Sequence, residues 1–581
     1  MLKQKALRVF VFCFCIFLWI AVRFFLHESD LTKNVERAFP QQQLQDEKSG
    51  VNGQKSGALD GAPHGEKDLA NLKANLKAKL KAEVEEMPKQ SKSHIELKRS
   101  IDDLQRPIKN LRSIVHLDLK GAAPKVKYLE QIFPLFSSLG ASAVLMEYED
   151  MFPYDGNLTL LRSSFAYSVK DIMEIKRLAT ISNLEIIPLV QTFGHLEFVL
   201  KHDKYFDLRE VAEFPNSLNP RIPSSLALLK DMLAQVMKLH PEAKHFHIGC
   251  DEVYGLGKAQ DSKAISQEEL GQLYLSHVTA VGMFMTETWP SVKLLIWDDM
   301  LRKISVNALK ESGLPKLAAP VVWKYLPTLD FKAINGWLSK YQEAGFKHVW
   351  FASAFKGASG PDQMWTPFGT HLYNHLSWLD IVAYMSSYPD LTLEGLILTG
   401  WQRYEHFSVL CELLPVGIPS LAVCLQTLKH GSFNDKAKAE VHHILGCEVK
   451  LDKELCYGSG AFAGAELYHL VHRIHIDFQS SVDDFLQNRH LRGAYSRYHH
   501  KYSFGNPRNL GLFQHKLIST LKEWEAVIEN LRSEMEAIFF PDTIEEWMEE
   551  NVNQHMDMLR NMLQDVQRIS QRKGRPKSQK A

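Results

Sequence analysis

The chain has 581 residues, enough for about two to four ordinary domains or one large domain with appendages. Its 68 Lys and Arg balance 68 Asp and Glu, which argues against a nucleic-acid protein held by phosphate contacts and against a highly charged disordered chain. With 45% apolar residues it can bury a full core, and its seven Cys, none in CxxC spacing, signal neither a disulfide scaffold nor a zinc module.

Residues 9–22 are apolar throughout, and Phe24 to Leu26 extend the run past Arg23. Lys3, Lys5 and Arg8 precede it, Glu28 and Asp30 follow it, and no small-residue cleavage site stands after it. Residues 1–26 are therefore expected to be an uncleaved signal-anchor, giving a single-pass type II membrane protein with its bulk in the lumen of the secretory pathway. A cleaved signal peptide is the alternative. Residues 27–112 have linker composition. Within them, at 69–87, Leu69, Leu72, Leu76, Leu80, Val84 and Met87 recur at helical spacing before Pro88. This is either a short coiled coil that pairs stems into a homodimer or a solvated helix.

From Ser113 short apolar runs alternate with helical patterns. Eight strands are expected: Ser113 to Leu119, Ala143 to Glu147, Glu185 to Val190, His245 to Gly249, Lys293 to Trp297, Pro320 to Trp323, His348 to Ala352 and Leu396 to Gly400. Most are continuously apolar, as parallel strands covered on both faces are. The clearest helix starts at Pro223, with Leu226, Leu229, Leu233, Val236 and Met237 on one face. Eight such alternations over 113–430 predict an α/β fold, a (β/α)8 barrel. A doubly wound open sheet is the runner-up, but no GxGxxG follows the first strand. Residues 431–567 are expected to form a helical C-terminal region, periodic above all from Phe513 to Phe540, and 568–581 a basic disordered tail.

Polar residues crowd the C-terminal ends of these strands, the face that carries the active site in a barrel enzyme. Asp118 ends the first strand, Glu147 and Glu149 the second, His195 follows the third, Asp251 and Glu252 the fourth, and Asp298 and Asp299 the fifth. Trp297, Trp323 and Trp401 stand at or beyond the ends of the fifth, sixth and eighth strands. Carboxylates ringed by Trp suit a sugar, whose hydroxyls take the polar groups and whose C–H faces take the rings. Asp118, Glu149, His195, Asp298 and the three Trp are the candidates for substrate binding. Each has a plainer reading: an acidic residue after a strand often caps the next helix, and a lone Trp, such as Trp350, is core. His116-Leu117-Asp118 lacks the second His of a metal-dependent barrel hydrolase, Cys250 reads as a small buried residue, and Asn157-Leu158-Thr159 is a formal glycosylation sequon.

Asp251 and Glu252 are chain neighbours, so they cannot easily bracket one anomeric carbon as the two carboxyls of a conventional glycosidase do. That suits substrate-assisted catalysis, in which the substrate's own 2-acetamido oxygen is the nucleophile. Two close carboxyls also split their pKa values, keeping one protonated near neutral pH. The segment His247-Ile248-Gly249-Cys250-Asp251-Glu252-Val253 resembles the strand-four motif of family 20 β-N-acetylhexosaminidases. His116 to Gly121, Glu147 to Tyr154, Pro188 to Phe198 and Trp401 to Tyr404 are similar to the hexosaminidase D group within it. The resemblance covers about Ser113 to His430. It implies retaining exo-cleavage of terminal β-linked GalNAc or GlcNAc from glycoconjugates, without metal or organic cofactor. It implies that Asp251 polarises the acetamido group, that Glu252 is general acid and then base, and that Trp297, Trp323 and Trp401 wall the pocket. It also implies a nucleocytoplasmic alternative to the lumenal location.

The sequence departs from the lysosomal and bacterial branch of that family: the sugar-binding Arg near strand one is at most Lys120, and the Trp-x-Glu after strand eight reads Trp401-Gln402-Arg403. Recognition of the 3-, 4- and 6-hydroxyls, and GalNAc versus GlcNAc preference, are not carried over. Two competing expectations stand beside the main one. One is a catalytically silent glycan-binding barrel. The other is a two-carboxylate glycosidase in which Glu252 works against Asp298 or Glu149.

Overall fold

The computed structural model describes residues 111–259 and 265–577. The expected anchor at 1–26, the stem helix at 69–87 and nearly all of the stem lie outside the described residues, and no described helix is long and apolar enough to cross a membrane.

Eight parallel strands close into a barrel, which excludes the open doubly wound sheet. They are β1 (Arg112–Asp118), β2 (Ala143–Glu147), β3 (Glu185–Leu189), β4 (His245–His247), β5 (Lys293–Trp297), β6 (Ala318–Trp323), β7 (His348–Lys356) and β8 (Thr392–Gly400). Closure is made by β1, which pairs with β2 on one side (Ile114 with Ala143) and with β8 on the other (Ser113 with Leu396). All eight lie at the expected runs: β1 is shifted by one residue, and the others fall within their runs or extend them. β4 is the shortest; Ile248 and Gly249 still exchange backbone hydrogen bonds with β5, and the left-handed backbone at Gly249 and Cys250 then ends the run.

The period of two along each strand sorts side chains into layers. Ile114, Leu145, Ile187, Leu295, Val321 and Ile397 point inward and form the dry barrel core. Trp350 joins them, 1% exposed, with the Arg112 guanidinium 5.6 Å from its ring, so it is core as expected. Their alternates, Val115, Val144, Phe246, Ile296 and Val322, face the surrounding helices. One step further up each strand the inward positions become His116, Glu147, His247, Trp297 and Trp323, all buried. The barrel is therefore apolar below and polar or aromatic at its C-terminal mouth.

Pro223–Leu239 is a helix with Pro at its first turn and Leu229, Met232, Leu233, Val236 and Met237 buried. Leu414–His430 is buried almost all round and stops at Gly431 (φ 73°), the left-handed residue that ends many helices. It is apolar on every side because the C-terminal region covers its outer face. There the long helix Pro507–Ile538 buries Leu517, Leu521, Trp524, Val527, Leu531 and Met535, as the periodicity predicts. This region also reaches the barrel mouth. Lys125 N–H donates to the Ile538 carbonyl at 2.7 Å, Thr543 donates to the Gly121 carbonyl, and Arg403 pairs with Glu546.

One expectation changes. The boundary placed at 567/568 falls inside the helix Gln554–Gln571, because Asp565 and Ser503 hold Arg568 in its last turn. Cys447 and Cys456 are joined in a disulfide across a short hairpin, Glu448–Lys450 with Leu455–Tyr457; the partners face each other only once the turn between them has formed.

Candidate active site

The segment after β4 carries the acidic pair on an unusual backbone. Gly249 (φ 67°), Cys250 (φ 73°) and Glu252 (φ 45°) are all left-handed, as are His195 (φ 52°) and Glu149 (φ 44°) across the mouth. Four of the eight non-glycine residues with this backbone among the described residues thus sit here, each at a cost of about 1–3 kcal/mol that surrounding contacts must offset. Those contacts are visible. Gln191 Oε1 accepts the Cys250 N–H at 3.2 Å, Tyr274 donates to the Cys250 carbonyl at 2.9 Å, and Asp299 accepts the Glu252 N–H at 3.0 Å. The β3 loop packs so closely that a Cβ on Gly194 would stand 2.2 Å from the Asp251 carbonyl oxygen.

His195 lies between the two acids, its Nε2 3.2 Å from Glu252 and 3.6 Å from Asp251. Gln191 Nε2 donates to the other oxygen of Asp251 at 3.1 Å. Burial pushes the Asp251 carboxyl up to about 7; the His195 charge opposes this, while Asp299 and Glu252 add to it. Burial also tends to raise Glu252, but the hydrogen bond and charge of His195 and the Tyr254 hydroxyl outweigh it and hold Glu252 below the usual carboxylate range. Burial tends to lower His195, yet Asp251 and Glu252 raise it well above an ordinary imidazole. The split between the acids is therefore present, but the higher value belongs to Asp251.

The aromatic residues form a wall and a floor. Trp401 lies at the mouth, edge-on to His116 at 4.6 Å, with its Nε1 donating to the Tyr325 hydroxyl at 3.1 Å. Tyr325 in turn stacks on Trp323 at 5.3 Å. Trp297 is 1% exposed, beneath Trp401 at 5.9 Å and against His247 at 4.4 Å, so it is floor where a wall was expected. The Trp401 backbone is held from behind: Lys356 Nζ donates to its carbonyl at 2.7 Å. A Cβ on Gly357 would fall 1.9 Å from that carbonyl oxygen, so the approach requires glycine.

The remaining candidates divide. Glu149 stays at the mouth, 3.5 Å from Lys120 and 3.4 Å from His406; burial and the charges of Glu147 and Asp118 raise its carboxyl against the pull of Lys120. Asp118 is buried and accepts from the Gln402 N–H at 2.7 Å and from Lys120 Nζ at 3.0 Å, so it fastens β1 to the β8 loop. Asp298 is a correction. It is fully buried, with Arg302 on both oxygens (2.5 and 3.0 Å) and Tyr341 at 2.8 Å, so it cannot bind substrate or act as nucleophile. Its neighbour Asp299 faces the acids instead, and burial, with the charges of Glu252 and Asp298, raises it to about 6 despite Arg302. His116 pairs with Glu147 at 3.0 Å, and Cys250 is buried with its thiol pushed up by burial. Among the described residues no cluster of three or more His, Cys, Asp or Glu is arranged to hold a metal ion.

Sequence reading missed Gln191, Tyr254, Tyr325 and Lys356 as site residues. Gln191 stood within a segment already singled out, and Tyr325 lies two residues beyond Trp323 at the end of the sixth strand. Lys356 lies where β7 runs past its expected end, and nothing in its neighbours marks it.

Residues 133–330 match the model of glycosyl hydrolase family 20, catalytic domain. The chain is 48% identical to human (Homo sapiens) hexosaminidase D over 462 residues, 79% of this chain and 94% of that protein. It is 56% identical to hexosaminidase D of Bos taurus over 336 residues, 57% of this chain and 96% of that protein. A solved structure of a mutant Streptomyces plicatus beta-hexosaminidase in complex with product (GlcNAc) aligns at a TM-score of 0.41 and 13% identity, covering 61% of this chain and 72% of that one.

Proposed function

Because this chain belongs to glycosyl hydrolase family 20 and is a β-N-acetylhexosaminidase, we propose that it removes terminal β-linked GalNAc or GlcNAc by a retaining, substrate-assisted mechanism centred on Asp251 and Glu252. The observation that carries this reading is the adjacent acidic pair bridged by His195, while Asp298, one of two candidates for a protein nucleophile, is consumed by Arg302 and Tyr341.

In the first step the acetamido carbonyl oxygen attacks the anomeric carbon as the glycosidic bond breaks, and Glu252 gives its proton to the departing oxygen. The acetamido N–H donates to Asp251, whose charge stabilises the cationic oxazolinium ring. In the second step water attacks the same carbon from the face the leaving group vacated. Glu252 takes the water's proton, the acetamido group reforms, and the sugar leaves with its β configuration retained. In the free site the shared proton rests on the Asp251 side. A bound acetamido N–H favours the ionised form of Asp251, so substrate binding moves that proton toward Glu252, where the first step needs it. His195 offsets the charge that remains.

The test compares the 4-nitrophenyl β-glycosides of GalNAc and GlcNAc with the corresponding sugars bearing a 2-hydroxyl. The acetamido sugars should be turned over and the 2-hydroxy sugars very poorly, with the β-anomer released first by NMR. Comparable rates on both series would favour the two-carboxylate alternative, with the nucleophile sought at Glu149.

Trp401 supplies the face on which the sugar ring stacks. Trp401→Ala should lower kcat/KM by at least about tenfold, the loss of one aromatic contact in a pocket, while melting within a few degrees of wild type. A variant that melts many degrees lower but keeps near-normal kcat/KM would make Trp401 a core residue instead.

A further inference from the structure

Between β3 and the Pro223 helix the chain forms a hairpin that the mechanism above does not use, Arg209–Val211 paired with Phe214–Leu218. Its place is set by hydrogen bonds to the loop that bears Glu252. Asn216 accepts the Tyr254 N–H at 3.4 Å and donates to Glu197 at 3.1 Å. The carboxylate of Glu210 accepts the Gly257 N–H at 2.6 Å. Arg209 donates to the carbonyls of Leu200 at 2.9 Å and Ala212 at 2.8 Å, which locks the near strand.

At the turn of this hairpin Phe214 stacks on Tyr254, ring centroids 6.4 Å apart and planes at 28°. The Tyr254 N–H donates to the Glu252 carbonyl at 2.7 Å, and its hydroxyl helps hold the Glu252 carboxyl below the usual carboxylate range. The two rings therefore sit on the loop that bears the acid and on the hairpin bonded to that loop. Phe214 remains 41% exposed. An isolated exposed Phe is ordinary on a protein surface. This one is held by a hairpin whose backbone is tied down, against Tyr254, two residues beyond the acid.

The oxygen that leaves must lie against Glu252, so the group it carries passes over Tyr254 and then Phe214. We propose that Phe214 and Tyr254 form the leaving-group subsite, a two-ring ledge that takes the C–H face of a pyranose, the penultimate sugar of the glycan. The proposal rests on the reading of Glu252 as general acid. A ring-stacked ledge rewards a flat apolar face with hydroxyls at its edges, which a pyranose has and a short alkyl chain lacks.

The experiment compares two substrates with the same terminal N-acetylhexosamine. One is a β-linked disaccharide. The other is the 2,2,2-trifluoroethyl β-glycoside, whose alcohol departs about as readily as a sugar hydroxyl but carries no ring. Phe214→Ala should lower kcat/KM on the disaccharide by about tenfold and on the trifluoroethyl glycoside by less than about twofold. Phe214→Tyr, which keeps the ring, should restore the disaccharide rate. Equal losses on both substrates, or no loss on the disaccharide, would overturn the ledge. Glu252→Gln is run alongside: if it cleaves the disaccharide at the wild-type rate, the acid assignment itself falls and the ledge with it. An inactive Glu252→Gln with equal Phe214→Ala losses overturns the ledge alone.

Discussion

Glu252→Gln is expected to fold normally and to lose about 10²–10⁴-fold in hydrolysis of glycosides with poor leaving groups, the usual contribution of a positioned general acid. The change removes a proton donor with almost no change in volume, at a partly exposed position whose backbone N–H stays bonded to Asp299. A 4-nitrophenolate leaves without help, so the first step should recover on that substrate and part of the loss with it. The pH dependence should change sign. In the wild type the competent free enzyme carries one proton across the two acids, and Asp251, raised to about 7, marks where that proton is lost. Wild-type kcat/KM should therefore fall as pH rises through that region. In the variant Asp251 is the only one of the two that titrates, and its ionised form is the active one. Residual activity should rise with pH, and through a lower value, since the Glu252 charge that raised Asp251 has gone. An unchanged falling limb in Glu252→Gln would show that another group supplies the proton.

What was legible in the chain beforehand follows from which interactions are local. The barrel strands announce themselves because burial on both faces writes a continuous apolar run, and Ile114, Leu145 and Ile187 are read without knowing their partners. The acidic pair is legible because its two members are adjacent. Asp298 and Asp299 show the limit. They are neighbours of the same type, and only the turn after β5 decides that one meets Arg302 and the other Glu252. Arg302, four residues beyond Asp298, was a usable sign of the ion pair. No such sign exists for the split between Asp251 and Glu252, which is set by burial and by His195 on a different strand loop. Docking of the C-terminal helix Pro541–Met548 on the mouth, through Thr543 and Glu546, was equally unreadable, since each contact joins segments far apart in the chain.

Asp251→Asn should behave unlike Glu252→Gln. Asn fills the same space, and it can still accept from Gln191 Nε2, which now stands 3.1 Å from the carboxylate. What it lacks is the negative charge that faces the oxazolinium nitrogen as positive charge develops. Removing one preorganised electrostatic partner from a transition state costs about 10²–10³-fold in turnover, and what is lost is stabilisation of the charge on the forming ring, which no leaving group supplies. The defect should therefore persist at similar size on the disaccharide and on the 4-nitrophenyl glycoside. Asn also ends the favourable interaction of Asp251 with the His195 imidazole, so His195 should titrate at a lower pH in the variant, readable by NMR of the ring protons. Thiazolines that mimic the bicyclic intermediate should lose affinity for Asp251→Asn far more than the simple product sugar does, because only the intermediate carries the charge that Asp251 answers. If an activated leaving group rescues Asp251→Asn as it rescues Glu252→Gln, or if thiazoline affinity is unchanged, Asp251 is not the partner of the acetamido group, and the assisting carboxylate should be sought at Asp299, which already stands beside the pair.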